Sequence, residues 1–308
     1  MASGVSLDRD SIAKAAERLS GRIVDTPVQS VEADVLGLPH RVTLKLESLQ
    51  HSGSFKARGA MNALLCSQVG SDGVIAASGG NHGAAVAWAA QTLRYPANIF
   101  VPSIISPRKL EKLQLYGAQV HITGSEYHDA LSAARQFAEG HDCIELHAYD
   151  QIEVVSGAGT IAVEIDAQIA DATTVIVACG GGGLAGGLAT WWGTSKRLIA
   201  VETEGTKTWA SARAAGEPVD IEVSGLAADS LGARRIGHLG WNALLSSQAE
   251  SVVVSDEEVA AAQAVLATQF GVPSEPAAAA GLAGMLSGKT SISKDEHCVL
   301  VICGANSD

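Results

Sequence analysis

A lysine enclosed by small and aromatic neighbours stands near the front of this 308-residue chain. The run Ser54–Gly59 reads Ser-Phe-Lys-Ala-Arg-Gly, and an apolar stretch typical of a helix follows it at 60–65. A lysine in apolar surroundings loses stabilisation of its charged form, so its pKa falls and the neutral amine can act as a nucleophile or base. Schiff-base chemistry with an aldehyde cofactor is one reaction class that needs such an amine.

A run of glycines in mid-chain offers a place for an anion. Gly180–Gly187 contains six glycines and stands between an apolar strand pattern, 174–178, and a helical pattern. Backbone N–H groups in such a turn can bind an anion, the helix dipole adds to the attraction, and glycine lets a phosphate approach closely. The run therefore predicts a phosphate-binding loop, with a closely packed tight turn as the alternative.

The same run contains the dinucleotide-binding pattern. Gly181, Gly183 and Gly186 are spaced as in Gly-x-Gly-x-x-Gly, and Glu202 ends the next apolar segment, where a ribose-binding acid would lie. However, the unit falls in mid-chain, and a tetraglycine is more than this pattern needs. An NAD-binding oxidoreductase is an alternative on this segment alone, but it leaves Lys56 unexplained.

A second glycine turn carries polar side chains. Ser78–Gly83 reads Ser-Gly-Gly-Asn-His-Gly between a strand pattern and a helical pattern. Asn81 could donate a hydrogen bond to an oxyanion, and the helix N-terminus could hold a carboxylate. Helix capping by Asn81 and His82 would explain the same residues. Cys303, which precedes Gly-Ala-Asn after the last apolar strand, is by itself typical of a buried small hydrophobic residue.

These segments stand at the junctions of an alternating pattern of strands and helices, which predicts an α/β fold with a parallel sheet and helices on both faces. We expect strands at 41–47, 73–77, 97–101, 119–123, 174–178, 198–201, 251–254 and 299–302. We expect helices at 6–19, 83–93, 106–116, 127–140 and 256–270, with Pro107 in the first turn of the third and Ser255 or Asp256 as N-cap of the last. The stretch 205–240 is the least regular.

Composition excludes several classes of protein. Hydrophobic residues make up 47% of the chain, the formal charge is −12, and no dense basic run suggests nucleic acid or an anionic membrane. The five cysteines include no C-x-x-C pair, which argues against a disulfide framework and a zinc site. The first ten residues lack the pattern of a signal peptide, and the longest apolar stretch, 175–192, is interrupted by glycines. We therefore expect a cytoplasmic protein that acts on a small molecule.

Taken together, the four segments resemble the fold-type II enzymes that use pyridoxal phosphate (PLP), specifically the threonine/serine dehydratase and serine racemase family. Ser-Phe-Lys-x-Arg-Gly, Ser-x-Gly-Asn-His, a tetraglycine followed by Leu, and a terminal Ser/Cys-Gly-x-Asn occur there in this order. The resemblance covers essentially the whole chain. It implies two three-layer αβα domains with mostly parallel twisted sheets: a large PLP-binding domain, 1–60 and 145–308, and a small domain, 61–144.

The resemblance also assigns roles to residues. It implies that Lys56 forms the Schiff base with PLP and removes the Cα proton, while Cys303 faces the pyridine nitrogen. A thiol cannot keep that nitrogen protonated, so the ring is a weaker electron sink, which favours β-elimination. The residues implied for cofactor binding are Lys56, Phe55, Asn81, Gly180, Gly181, Gly182, Gly183, Leu184 and Cys303. Those implied for the substrate are Ser78, Gly79, Asn81 and His82, and no metal ligand is assigned.

The implied activity is that of an ammonia-lyase (dehydratase), which removes the β-hydroxyl and amino groups of a hydroxyamino acid such as L-threonine or L-serine to give a 2-oxo acid and ammonia. L-threo-3-hydroxyaspartate and bulkier β-hydroxy amino acids fit the same residues. A racemase or a β-replacement enzyme of the same fold is the alternative, although replacement enzymes usually carry Lys-Asp-Arg where this chain has Lys-Ala-Arg at 56–58. The family also implies a homodimer.

Some positions depart from the family. Gly79 stands where the racemase carries a serine as second acid/base and dehydratases commonly carry alanine, so we expect weak or no racemisation. Some relatives bind a cation through a Glu and an Asp, but no matching Asp follows Glu202. Glu275-Pro276 resembles a Glu-Pro segment near the family's active site. Asp308 follows the last strand closely, so we expect no regulatory domain for feedback by isoleucine.

Overall fold

The computed structural model describes residues 6–32 and 35–306, and its strands form two sheets. The strands are β1 Val28–Val31, β2 Arg41–Lys45, β3 Gly73–Ala77, β4 Ala97–Val101, β5 Gln119–Ile122, β6 Cys143–Glu145, β7 Thr174–Ala178, β8 Arg197–Thr203, β9 Glu250–Val254 and β10 His297–Val301. The helices are α1 Arg9–Leu19, α2 Lys56–Cys66, α3 Asn81–Leu93, α4 Pro107–Leu115, α5 Tyr127–Ala138, α6 Ile152–Gln168, α7 Gly183–Trp192, α8 Thr208–Ala215, α9 His238–Ser246, α10 Asp256–Phe270 and α11 Pro276–Leu286.

Both sheets are mostly parallel. One has six strands in the order β1-β2-β10-β7-β8-β9, and the other has four in the order β5-β4-β3-β6. Among the described strands, only β1 and β2 pair antiparallel, with Val28 opposite Lys45. The central strands β7 and β10 are buried along their whole length and are largely apolar, as parallel strands covered on both faces must be. The predicted α/β fold with two mostly parallel sheets is confirmed.

The two sheets draw on different parts of the chain. All four strands of the smaller sheet lie within residues 73–145, whereas the strands of the larger sheet come from both sides of that range. This arrangement is compatible with a large domain of 1–60 and 145–308 and a small domain of 61–144, whose boundaries stay a prediction. Residues 1–5, 33, 34, 307 and 308 of the large domain lie outside the described residues.

The parallel strands bring the sequence motifs to one edge of each sheet. In the larger sheet, the segments with the lysine motif, the tetraglycine and Cys303 follow the carboxyl ends of β2, β7 and β10, and β10 lies between the other two strands. In the smaller sheet, Ser78–Asn81 follows the carboxyl end of β3. Ligands of α/β proteins bind at this edge, because the loops there surround a crevice.

Local capping explains several helix boundaries. Ser255 caps α10 by accepting a hydrogen bond from the N–H of Glu258, and the side chain of Glu258 accepts one from the N–H of Ser255. Of the two predicted candidates, Ser255 is therefore the N-cap. Pro107 occupies the first turn of α4, as predicted, and Ser106 caps that helix. No helix of the described residues is long and apolar enough to cross a membrane.

Some element predictions were wrong. Helix α1 begins at Arg9 rather than at residue 6, because Asp8 accepts a hydrogen bond from the N–H of Ser11 and caps it. Strand β2 ends at Lys45, and a 3-10 turn begins at Glu47. The stretch 205–240 is mostly irregular, as predicted, and its helical residues belong to α8 and the start of α9. Strands β1 and β6 and helices α6 and α11 were not predicted.

Candidate active site

Lys56 begins α2, and its side chain is partly buried. Burial lowers the pKa of this amine from an ordinary value of 10.5 to about 8, and the carboxyl group of Glu275 acts in the opposite direction. The ammonium donates a hydrogen bond to the carbonyl oxygen of Ala148 at 2.6 Å. Its Nζ atom lies 5.1 Å from the ring centre of Phe55. The structure therefore gives Lys56 the environment that the motif predicts.

Lys56 shares a pocket with residues from the other motifs. Phe55, His82, Gly183 and Leu184 line the same cavity. Since these residues come from the lysine motif, the asparagine turn and the glycine loop, the structure brings three of the four sequence segments together.

The fourth segment is joined to the lysine motif through the backbone. The N–H of Phe55 donates to the carbonyl oxygen of Cys303 at 3.0 Å, and Ser54 forms an isolated β-bridge with Gly304. Burial raises the pKa of the Cys303 thiol well above its ordinary value, so the thiol stays neutral at physiological pH. Cys303 is thus a neutral group held beside the lysine segment.

The glycine loop connects β7 to α7 and has the properties of an anion cradle. Gly182 has a φ of +82°, which favours glycine. A Cβ atom at Gly181 would run into the ring of Tyr149, and one at Gly183 would lie 2.8 Å from the carbonyl oxygen of Tyr149. Among the described residues, the N–H groups of 181–184 donate to no protein acceptor. These free donors at a helix N-terminus fit the phosphate of PLP.

Asn81 begins α3 and bridges two parts of the site. Its amide donates to both carboxyl oxygens of Glu275 at 2.8 Å and accepts a hydrogen bond from Asn306 at 2.7 Å. Burial raises the pKa of Glu275 to about 7, and the hydrogen bond from Asn81 partly offsets this effect. Asn81 therefore lies in the site, and its role in binding the cofactor stays a prediction.

The structure places the predicted substrate residues around the start of α3. Ser78 accepts a hydrogen bond from the N–H of Gly80 at 3.3 Å. A Cβ atom at Gly79 would lie 3.0 Å from the Cδ1 atom of Ile105, so an apolar side chain fills the space beside this glycine. Nε2 of His82 lies 2.9 Å from the carbonyl oxygen of Leu146, so Nε2 must carry the proton. The roles of these residues in substrate binding stay predictions.

His82 lacks the positive charge that a cationic binder of a carboxylate would carry. Burial lowers its pKa to about 3, and the nearby Lys56 acts in the same direction. The imidazole is therefore neutral at physiological pH. Contact with a substrate carboxylate would then come from hydrogen bonds rather than from a positive charge on His82.

The segment between β6 and α6 contributes to the site, although no sequence motif pointed to it. Ala148 holds the amine of Lys56, and Tyr149 packs on the glycine loop. Asp150 caps α9 by accepting hydrogen bonds from the N–H groups of His238 at 3.1 Å and Leu239 at 2.9 Å. Because the capped helix lies almost ninety residues further along the chain, no local pattern could reveal this contact. Glu275 was noted only as part of a Glu-Pro segment.

Glu202 has a structural role in this fold. It accepts hydrogen bonds from the hydroxyl of Thr208 at 3.1 Å and from the N–H groups of Trp209 at 2.6 Å and Ala210 at 2.8 Å. These groups form the first turn of α8, so the carboxyl group caps that helix. The capping accounts for the acid that the dinucleotide hypothesis assigned to a ribose.

Comparison with known proteins identifies the family. A model of the pyridoxal-phosphate dependent enzymes matches residues 19–304. The chain is 34% identical to an L-threonine ammonia-lyase of Thermotoga maritima over 91% of this chain and 70% of the relative. It is 30% identical to a serine racemase of Oryza sativa subsp. japonica over 99% of this chain and 92% of the relative. The structure of maize serine racemase superposes with a TM-score of 0.93 at 29% identity, covering 99% of this chain and 95% of that one.

These matches confirm the predicted family resemblance and the predicted cofactor. The matched region includes Lys56, the asparagine turn, the glycine loop and Cys303. Together with the partly buried lysine and the anion cradle, they lead to one conclusion. The chain belongs to the family of pyridoxal-phosphate dependent enzymes.

Proposed function

We propose that the protein is a PLP-dependent ammonia-lyase that converts a hydroxyamino acid such as L-threonine or L-serine to a 2-oxo acid and ammonia. The observation that carries the proposal is the partly buried amine of Lys56, with its pKa of about 8, beside an anion cradle. The similarity to a threonine ammonia-lyase over most of both chains supports this activity.

The residues present fit the cofactor at three points. The free N–H groups of 181–184 would hold the phosphate, and Phe55 would pack beside the ring. At the edge of the ring, Asn81 would contact the 3′-oxygen, and the neutral thiol of Cys303 would face the pyridine nitrogen. When bound, PLP supplies an electron sink that stabilises negative charge at the substrate Cα atom.

Lys56 would move the proton. With a pKa of about 8, roughly half of the molecules carry a neutral amine at pH 8, against well under 1% for an ordinary lysine. The neutral amine accepts the Cα proton at Nζ, after which the β-hydroxyl group can leave.

The start of α3 would bind the substrate carboxylate. The N–H groups of Asn81 and His82 lie at a helix N-terminus, where the positive end of the dipole attracts an anion. The hydroxyl of Ser78 lies in the same turn. This contact would orient the Cα–H bond toward Lys56.

The apolar side chain of Ile105, which lies beside Gly79, favours elimination over racemisation. A racemase needs a second acid/base that delivers a proton to the other face of Cα. Gly79 has no side chain, and Ile105 occupies the space beside it. Neither residue has a proton to deliver. An assay that finds D-serine formation comparable to oxo-acid release would overturn this part of the proposal.

Absorbance and product analysis test the function. Purified protein should show a band near about 410–420 nm that Lys56→Ala removes, because the amine holds the cofactor covalently. Addition of L-threonine, L-serine or L-threo-3-hydroxyaspartate should release a 2-oxo acid. A coloured protein that releases no oxo acid would indicate racemase or β-replacement chemistry, and a colourless protein that binds NAD would contradict the proposal.

We also propose that the enzyme is a cytoplasmic homodimer. All five cysteines are free, which suits a reducing compartment, and the family resemblance implies the dimer. Light scattering during size-exclusion chromatography would give the mass of the assembly. A mass of 31.5 kDa, that of one chain, would contradict the dimer.

A further inference from the structure

Arg58, two residues after Lys56, is completely buried and fully paired. Its Nε and Nη2 atoms each donate to a carboxyl oxygen of Glu47 at 2.7 Å. Its Nη1 atom donates to Glu164 at 2.5 Å and to the hydroxyl of Thr160 at 3.2 Å. Burial lowers the pKa of Arg58, but the carboxylates of Glu47 and Glu164 outweigh that effect and hold it above its ordinary value. This arginine carries a permanent charge in a site without solvent.

A second buried cation completes the cluster. Lys45 donates to Glu164 at 2.5 Å, to the carbonyl oxygen of Thr26 at 2.8 Å and to Gln168 at 2.9 Å. Lys45 and Arg58 together balance the charges of Glu47 and Glu164. The four side chains come from β2, the turn after it, α2 and α6, so this charge cluster ties the start of α2 to three neighbouring elements.

The other restraints on the first turn of α2 come from the backbone, since the N–H of Phe55 donates to the carbonyl oxygen of Cys303. The N-cap of the helix, Phe55, makes no side-chain cap, and no acidic residue lies in the first turn. Helix α2 instead packs backbone to backbone on α6, where a Cβ atom at Gly157 would lie 2.6 Å from the carbonyl oxygen of Arg58. Arg58 is thus a side chain of this turn that reaches both Glu47, after β2, and Glu164, on α6.

The carbonyl group that binds Lys56 belongs to the segment leading into α6. Ala148 lies four residues before α6 begins, and Glu164 lies on that helix. A rotation of α2 against α6 would therefore change the contact between Nζ of Lys56 and Ala148. We propose that Arg58 is a positioning residue for Lys56: its pairing with Glu47 and Glu164 fixes the first turn of α2, so that the amine meets Ala148.

This inference rests on the proposed function only for its effect on catalysis. The position of Lys56 can be measured without turnover, because its burial sets its pKa. The charged or titratable groups whose fields reach Lys56 are Glu275, Cys303, His82 and His147. A variant that loosens α2 while leaving these groups in place would admit water, so the pKa of Lys56 should rise toward 10.5.

The test is pH-dependent labelling of Lys56 in the full-length chain after the cofactor has been removed. Acetic anhydride modifies only neutral amines, and peptide mass spectrometry gives the labelled fraction at each pH. The variant is Arg58→Lys, which keeps the charge but cannot bind Glu47 through two parallel donors. Arg197→Lys is the matched control, because Arg197 binds both oxygens of Glu250 and also contacts Glu296, at the edge strand pair β8–β9.

Arg58→Lys should move the labelling midpoint of Lys56 upward from about 8, whereas Arg197→Lys should leave it unchanged. An unshifted midpoint in a folded Arg58→Lys protein would overturn the inference. If that variant does not fold, Glu164→Gln replaces it, because it leaves the pairing of Arg58 with Glu47 intact. Its labelling midpoint should also rise, and an unshifted midpoint would overturn the inference. In the loaded enzyme, Arg58→Lys should lower kcat about tenfold or more with a smaller change in KM. If wild type releases no oxo acid, the proposed function fails, but the labelling still decides this inference.

Discussion

At the scale of single residues, the activity depends on one amine whose protonation is set by its surroundings. Lys56 is partly buried, and Glu275 is, with Cys303, one of the two acidic groups whose fields reach it. Each group changes the other's titration, because Lys56 in turn lowers the pKa of Glu275. The pH dependence of turnover therefore reports this pair rather than an isolated lysine.

The first prediction concerns the pH profile of kcat. Because kcat reports groups in the substrate complex, it should rise with pH with a midpoint near 8. Glu275→Gln removes a carboxylate that raises the pKa of Lys56, so the midpoint should move to lower pH. Glu111→Gln, on α4, is the control and should leave the profile unchanged. A midpoint that stays in place or moves upward in Glu275→Gln would refute the coupling.

The second prediction concerns the wall beside the substrate. In Gly79→Ala the new Cβ would lie 3.0 Å from Cδ1 of Ile105 and 3.3 Å from its Cγ1, so the isoleucine must move. We expect kcat/KM to fall about tenfold for L-threonine and less for L-serine, which lacks the extra methyl group. Ile105→Val removes the closest atom, so the double variant should recover most of the loss. Equal losses for both substrates would place this wall away from the β-substituent.

At the scale of elements, the shape of the glycine loop depends on the segment after β6, which contains Tyr149 and Asp150. Tyr149 packs over Gly181, and Asp150 holds the start of α9. Helix α9 in turn lies against the loop, because the N–H of Gly237 just before it donates to the carbonyl oxygen of Gly181 at 3.0 Å. The cradle is therefore shaped by three separate pieces of chain.

The third prediction tests that arrangement. Gly181→Ala places a methyl group against the ring of Tyr149 and should displace the loop, weakening PLP binding by about tenfold or more. Gly140→Ala is the matched control, since nothing lies within 4 Å of its added Cβ. Fluorescence titration of the cofactor-free protein with PLP would measure both. Adding Tyr149→Ala to Gly181→Ala should restore part of the affinity, and normal binding by Gly181→Ala alone would contradict the steric argument.

The elements also show what sequence patterns can and cannot predict. The strands β3, β4 and β7 were predicted to the residue, because apolar runs with glycine or proline at their ends are local signals. Helix α6 was missed, because it is buried almost all round and its glycines pack against α2 and α7, which hides the helical period.

Some residues of the candidate site could also be predicted from the sequence, and others could not. Lys56 and the tetraglycine stand in short motifs and could be found from the sequence. The partners that tune them are Ala148, Tyr149, Glu47 and Glu164, and each is brought there by tertiary contacts that span 11 to 106 residues. No pattern within a single element encodes those distances, so the sequence identified the reacting group but not the residues that contact it and pack around it.

At the scale of the whole molecule, buried ionisable groups should make stability depend on pH in opposing directions. Burial raises the pKa values of Glu202 and Glu275 to about 7, so the folded state binds protons that the unfolded chain binds only near 4.5. Acidification from pH 7 to 5 therefore favours folding through these two groups. His82 opposes them, because its folded pKa of about 3 lies below the ordinary 6.5, so the unfolded chain takes up that proton first.

The fourth prediction isolates the two carboxyl groups. The double variant Glu202→Gln/Glu275→Gln cannot take up these protons, so it should lack the stabilisation that wild type gains between pH 7 and 5. The free energy of unfolding of the variant, minus that of wild type, should be highest near pH 7.5 and should decrease as the pH falls. The lost hydrogen bonds change this difference by the same amount at every pH. His82 is unchanged in both proteins, so its contribution cancels in the difference. Urea unfolding of the cofactor-free chains at pH 7.5, 6 and 5 would measure this difference in free energy of unfolding. A difference that does not change with pH would show that neither carboxyl group carries a raised pKa.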